Sequence, residues 1–327
     1  MNRLHVLTLL LAAVTLAGCS PRPRISAASP PPPPVPPAKP MAIDPQLMEQ
    51  ARSQIRSALS SNDEIIRANA VEAVQRGIGR EGASEILAAL DDRHPLVQFA
   101  SAMAVGALEL TDAHARLLEL VDHEDPMVQV GVRFALHRLG DTTYSHDLEK
   151  SALHERPSIR GTTAMVLGLL GEPSALKILR VMRRDPDSAV RLQVAEAMWR
   201  LGDESALPTL VAASLSQHPD DQMIALLALA GPQDRRVIEH IRSKLVTEYE
   251  EVALVAARAL GELGSDDGYG VAMRGARSAD PRQKVLAAMA FGAIGRSDAQ
   301  PILAELLKDP NQPVRLAAAT ALLQLRE

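Results

Sequence analysis

The sequence predicts an all-α solenoid of about nine helical pairs, and three observations lead there. A 31-residue period runs from Leu47 to the C-terminus. Inside each period the apolar residues fall at helical spacing. Glycines and Asp-Pro pairs stand where the helices are expected to end and begin.

The period shows in columns. One reads Ile66, Val97, Val128, Ile159, Val190, Asp221, Val252, Gln283, Val314. With this column as register position 0, position 7 reads Ala73, Ala104, Ala135, Val166, Ala197, Ala228, Ala259, Ala290, Ala321. A third column lies in the other half of each unit: Ile55, Ile86, Leu117, Leu148, Leu179, Leu210, Ile241, Ala272, Leu303. Nine copies align without an insertion. Positions 0, 4, 7, 8 and 11 lie on one face of an α-helix, which makes this the core face of the second helix of each pair. Gly140, Gly171 and Gly202 supply left-handed ends to those helices. Asp125-Pro126, Asp185-Pro186, Asp280-Pro281 and Asp309-Pro310 are read as capped starts, a carboxylate followed by a proline that has no N–H to lose. A pair of such helices cannot bury its apolar face alone; stacking on the next pair does so.

Composition agrees. The chain is 46% apolar but only 2% aromatic, so Ala and Leu fill the core and helices approach closely. A net charge of −5 excludes non-specific nucleic-acid binding, which needs a basic face. The single cysteine, Cys19, rules out an intrachain disulfide.

The N-terminal residues follow another logic. Arg3 lies in a short positive segment, residues 6–14 are apolar but too short to span a bilayer, and Leu16-Ala17-Gly18-Cys19 follows. That tetrapeptide resembles the lipobox of bacterial lipoproteins. The resemblance implies a signal peptide at 1–18 and a diacylglyceryl group on Cys19, which becomes the mature N-terminus. Three acyl chains anchor far more firmly than one. Ser20 stands where an aspartate retains such proteins in the inner membrane, so the outer membrane, facing the periplasm, is the expected location. Residues 19–44 are read as the lipidated cysteine and a disordered, proline-rich tether. Its run Pro30-Pro31-Pro32-Pro33-Pro34-Val35-Pro36-Pro37 favours polyproline II. At ~3.1 Å per residue it holds the folded part about 60 Å from the bilayer. The competing reading is a ligand for a proline-binding domain. Residues 45–327 are the repeat domain.

The segment Asp187-Ser188-Ala189-Val190-Arg191-Leu192-Gln193-Val194-Ala195-Glu196-Ala197-Met198-Trp199-Arg200-Leu201-Gly202-Asp203, repeated in part at Val314-Arg315-Leu316-Ala317-Ala318-Ala319-Thr320-Ala321-Leu322, resembles the HEAT-like repeat first noted in phycobilin lyases. The resemblance implies a HEAT-type α-solenoid with first helices on the convex side and second helices on the concave side. Of function it says little, because the fold serves many roles. The sixth unit departs from the pattern: Asp221 replaces Val, and Pro232 should stop its second helix early.

No motif marks a nucleophile with its base, and no catalytic residue, metal or cofactor is expected. His123-Glu124 and His154-Glu155 lie one period apart. Deoxyhypusine hydroxylases, which are HEAT-like iron enzymes, carry His-Glu pairs inside the second helix, just after the Val-Arg position. Here that position holds Leu192-Gln193 and its equivalents, and both His-Glu pairs fall in the connection before the helix. They are read as solvated loop residues. A phycobilin-lyase role is the other enzymatic option the fold suggests, and no residue motif supports it.

Positions 2 and 6 of the second helices should point away from the core. Position 2, with Phe99 and Leu192, has neighbouring helices on both flanks and is read as packing between repeats. Position 6 includes Met103, Phe134, Met165 and Leu227, with His137 and Trp199 at position 9 on the same side. An apolar, Met-rich strip on a wet face fits an adaptable protein-binding groove; packing between repeats is the alternative. The expected function is a lipid-anchored, non-catalytic binding scaffold of the bacterial envelope, touching the membrane through Cys19 and an unidentified protein through the strip. A carrier that holds a lipid or hydrophobic peptide in the groove is the first alternative. A metal-dependent hydroxylase or a lyase is the second.

Overall fold

The computed structural model describes residues 41–326; the expected signal peptide, Cys19 and the proline-rich segment lie outside them. Among the described residues the chain is helical throughout, apart from an isolated bridge between Arg296 and Arg326. The nine first helices are Pro45–Ala58, Ala83–Ala89, His114–Leu120, Ser145–Lys150, Leu176–Met182, Leu207–Ala213, Ile238–Arg242, Tyr269–Ala276 and Gln300–Leu306. The second helices are Glu64–Ala73, Pro95–Leu108, Pro126–Arg138, Pro157–Leu170, Ser188–Arg200, Pro219–Ala230, Glu250–Glu262, Pro281–Ile294 and Gln312–Leu322. The column from Ile55 to Leu303 is buried at every one of its nine positions, and so is the alanine column from Ala73 to Ala321. Small side chains in that column let neighbouring helices approach.

Helix starts follow the sequence with one correction. Asp125 and Asp280 cap their helices, accepting N–H bonds from Met127 at 2.7 Å and Arg282 at 2.9 Å. Asp185 and Asp309 do not. The helices there begin at Ser188 and Gln312, and each aspartate sits two residues before the cap, accepting the cap residue's own N–H at 2.9 Å. The reason lies at register position −5, where Asp185 and Asp309 stand. Its occupants turn the loop: Asp92, His123, His154, Asp185, Ser216, Ser278 and Asp309 all accept the N–H two residues on. Where that residue is Asp, it also receives a basic side chain from position 1 of the preceding repeat. Arg67 reaches Asp92 at 2.8 Å, Arg160 reaches Asp185 at 2.6 Å, and Lys284 reaches Asp309 at 2.7 Å. Where position 1 is Gln, as at Gln98 and Gln129, the next repeat carries His123 or His154 instead.

The helix ends are regular too. Gly140, Gly171, Gly202, Gly264 and Gly295, all at position 12, have left-handed φ between 76° and 95°. In the sixth repeat the helix stops at Ala230, before Pro232, and Gln233 takes the position-12 seat at φ 59°.

The chain divides into two units. One holds residues 62–75 and 79–213. Within it the second helices of repeats one to five pack side by side in order. The other holds, among the described residues, 41–61, a short piece at 76–78, and 214–326. Within it the second helices of repeats six to nine stack likewise, and the helix Pro45–Ala58 packs on the last one, Gln312–Leu322. Hydrogen bonds fasten the leading residues there: Met41 N to Ser297 Oγ at 2.9 Å, Asp44 N to Gln300 Oε1 at 2.9 Å, and Gln300 Nε2 to the Ala42 carbonyl at 3.0 Å. The boundary between the units at Ala213 and Ser214 falls inside the sixth repeat.

Candidate functional site

The expected strip is not exposed. Met103 and Phe134 are fully buried, Leu227 and Trp199 nearly so, and Met165 keeps only 8% of its surface. His137 is half-buried. The cause is the side-by-side approach of second helices. The ring of Phe134, on Pro126–Arg138, lies over Gly106 of Pro95–Leu108, where a Cβ would meet its Cε1 at 2.6 Å. In return the ring of Phe99 lies over Gly131, where a Cβ would meet Cδ2 at 2.8 Å. Positions 2 and 6 are therefore the two flanks of one helix, each received by a glycine of its neighbour. The same close approach recurs where Gly168 meets the Cα of Ala197, 2.7 Å from a built Cβ. Position 6 stays buried even where it is charged. Arg258 Nε pairs with Glu262 Oε1 at 3.0 Å and its Nη1 lies 3.8 Å from Met289 Sδ; Glu196 pairs with Arg200 at 3.1 Å. Buried charges of this kind persist because they are paired.

The structure adds a constellation that the sequence did not suggest. His137 Nδ1 lies 2.9 Å from Ser145 Oγ, and its Nε2 lies 2.7 Å from Glu172 Oε1. Hydroxyl, imidazole and carboxylate are the parts of a nucleophilic triad, but the acid of such a triad is buried, and Glu172 is half solvent-exposed. Ser145 opens a helix of six residues, and the three groups belong to the ends of successive helices. The arrangement braces those ends. His114 and Asp141, 3.3 Å apart, make a comparable tie. His137 stands at position 9 of one repeat and Glu172 at position 13 of the next, so no single column of the register joins them.

Ser214 and His240 form a second pair, Oγ to Nε2 at 2.7 Å. Ser214 is fully buried, so its hydroxyl meets no substrate. Burial, aided by Lys244, holds the His240 imidazole below its ordinary value. The Nδ1 atoms of His123 and His154 each accept a backbone N–H at 3.0 Å. Among the described residues no three His, Cys, Asp or Glu side chains converge to hold a metal ion. No helix there is long and apolar enough to cross a membrane.

The sequence matches the model of the HEAT repeats family over residues 147–230 and 271–327. No curated protein matches it. Among solved structures it is similar to the complex of CpcE and CpcF of phycocyanin lyase from Nostoc sp. PCC7120. The identity there is 21%, the match covers 68% of this chain and 91% of that one, and the TM-score is 0.46. Human deoxyhypusine hydroxylase in complex with glycerol matches at 18% identity over 85% of this chain and 96% of that one, with a TM-score of 0.38. At these scores the likenesses carry no statement about activity. Repeat geometry and the family match together make the described part of this chain an all-α solenoid of HEAT-type repeats.

Proposed function

We propose that the protein is a lipid-anchored binding scaffold of the bacterial envelope. The observation that carries this reading is the order of its parts: Leu16-Ala17-Gly18-Cys19, then a proline-rich spacer, then helical repeats that start at Pro45 without an intervening domain. Repeats of this kind offer a long surface, and their inward polar groups serve the ladder between repeats rather than chemistry. Partner docking falls to side chains other than the buried strip. A carrier for a lipid or hydrophobic peptide loses its main support, because the apolar groove it relied on is helix packing. An enzyme of the metal-dependent kind belongs to a different class, and stoichiometric iron in the purified protein would replace the scaffold reading with it.

Cys19→Ser tests the anchor. The variant should move from the membrane to the soluble fraction with an unchanged melting temperature. A variant that stays in the membrane pellet like the parent refutes the anchor. Crosslinking in cells, followed by identification of captured proteins, tests the scaffold; no reproducible partner over repeated captures counts against it.

A further inference from the structure

We propose that the outward face of the fifth repeat's first helix, Leu176–Met182, and of the turn after it docks on the headgroups of anionic phospholipid. The proposal rests on the anchor reading and assigns the surface that the anchored chain turns to the bilayer.

Leu179 and Met182 enter the core. Lys177, Arg180, Val181 and Arg184 fall at helical spacing on the opposite side, and all four are exposed, as is Arg183. Val181 keeps 63% of its surface in the midst of the cations. Residues 177–184 contain no acid. The nearest acids in sequence are engaged elsewhere: Asp185 by Arg160 and Glu172 by His137. Arg180 pairs with Asp203 at 3.0 Å, and Arg183 donates to Ser205 Oγ at 3.3 Å. Lys177, Arg183 and Arg184 have no ion-pair partner among the described residues. In the fourth repeat the register position of Arg184 is filled by Leu153, 71% exposed, and that of Val181 by Lys150. Three acids lie there too, Asp147, Glu149 and Glu155, against Lys150 and Arg156, and Lys150 is paired with Asp147 at 2.8 Å, so the basic face is confined to the fifth repeat. A chain of net charge −5 thus carries a local reversal of sign, with the exposed Val181 set among the cations.

Charge complementarity calls for an anionic partner. The interleaved Val181, with Leu153 exposed at the neighbouring place in the fourth repeat, favours a bilayer over a soluble acidic chain, because at a membrane surface phosphates lie directly above hydrocarbon. The expected tether limits how far this face strays from the lipid to about 60 Å and, where it folds back, raises the effective concentration of the face at the bilayer.

With Cys19 acylated, Val181→Cys introduces the one free thiol in the chain. An environment-sensitive fluorophore on that thiol is followed in the full lipoprotein, reconstituted into phosphatidylcholine vesicles with and without phosphatidylglycerol. The emission should shift blue and become quenchable by bilayer-embedded quenchers only when phosphatidylglycerol is present, and high salt should reverse the change. Adding Lys177→Gln, Arg183→Gln and Arg184→Gln should lower the ratio of docked to undocked protein about tenfold or more, with no change in melting. Equal emission in both vesicle types, or docking undiminished in the triple variant, overturns the proposal. So does a shift on soluble polyglutamate but not on anionic vesicles, which would assign the face to an acidic protein segment. Fluorophore uptake by the parent chain marks a free Cys19; it overturns the anchor, and the docking with it, by a result separate from the emission.

Discussion

Phe134→Ala measures how strongly the flank packing binds one repeat to the next. The ring is fully buried, and its edge rests on the backbone of Gly106. Emptying such a site removes the transfer free energy of the ring and leaves a cavity that two packed helices close only in part. The expected loss is about 3–5 kcal/mol. Gly106→Ala approaches the same contact from the other side. Its Cβ would lie 2.6 Å from Phe134 Cε1 and 3.0 Å from the Cα of Ala135. The ring can rotate away but the Cα cannot, so the helices must separate. Overpacking of about 1–3 kcal/mol then exceeds the ~1 kcal/mol that alanine gains over glycine within a helix. Combining Gly106→Ala with Phe134→Leu removes Cε1, so the double variant should lose less than the sum of the singles, by at least about 0.5 kcal/mol. Urea unfolding followed by the fluorescence of Trp199, the sole tryptophan, reads the parent, the three single variants and the double variant. A Phe134→Ala variant within about 0.5 kcal/mol of the parent would refute the packing argument, since that is how an exposed side chain behaves.

Two further outcomes follow from the loops. Gln233 occupies a left-handed seat filled by glycine in five other repeats, so Gln233→Gly should raise stability by about 0.5–1 kcal/mol in the same assay; a loss would show that the Gln side chain makes a contact of its own. Asp185 is held below the usual carboxylate range by its hydrogen bonds from Arg160. A depressed folded value contributes stability that is present above the unfolded value of about 4 and is lost as pH falls through the folded one. Asp185→Asn should therefore destabilise the protein at neutral pH and flatten the acid limb of a melting-temperature profile; parallel acid limbs for parent and variant would contradict the pairing.

The fold was legible because its period is strict. One column of large apolar residues and one of alanines, both at 31-residue spacing, located every helical pair. The strip was misread because helical periodicity tells which residues share a face and not what lies against that face. In a lone amphipathic helix the side opposite the core is wet. Here a second helix has neighbours on both flanks, and the clue was in the sequence as Gly106 and Gly131, placed to receive Phe134 and Phe99. Asp185-Pro186 and Asp309-Pro310 misled for a related reason: the dipeptide marks the turn, while the cap depends on which carboxylate the neighbouring repeat claims. The tie among Ser145, His137 and Glu172 joins residues spaced by less than a period and by slightly more than one, so columns in strict register do not show it.

The seating of Pro45–Ala58 on Gln312–Leu322 sets an order of events in synthesis. Among the described residues the first helix to be synthesised has its partner in the last, and the hydrogen bond from Met41 to Ser297 spans 256 residues. Until then the early helix, whose Ala51, Ile55 and Ala58 are buried in the folded chain, lacks that partner. Residues 62–75 and 79–213 stack on near neighbours and can close as they appear, whereas the unit that holds Pro45–Ala58 waits for Gln312–Leu322 and for a contact of very long range. If the chain is exported unfolded, that last closure falls to the far side of the membrane. Loss of either Pro45–Ala58 or Gln312–Leu322 would then leave apolar surface open on the helix that remains.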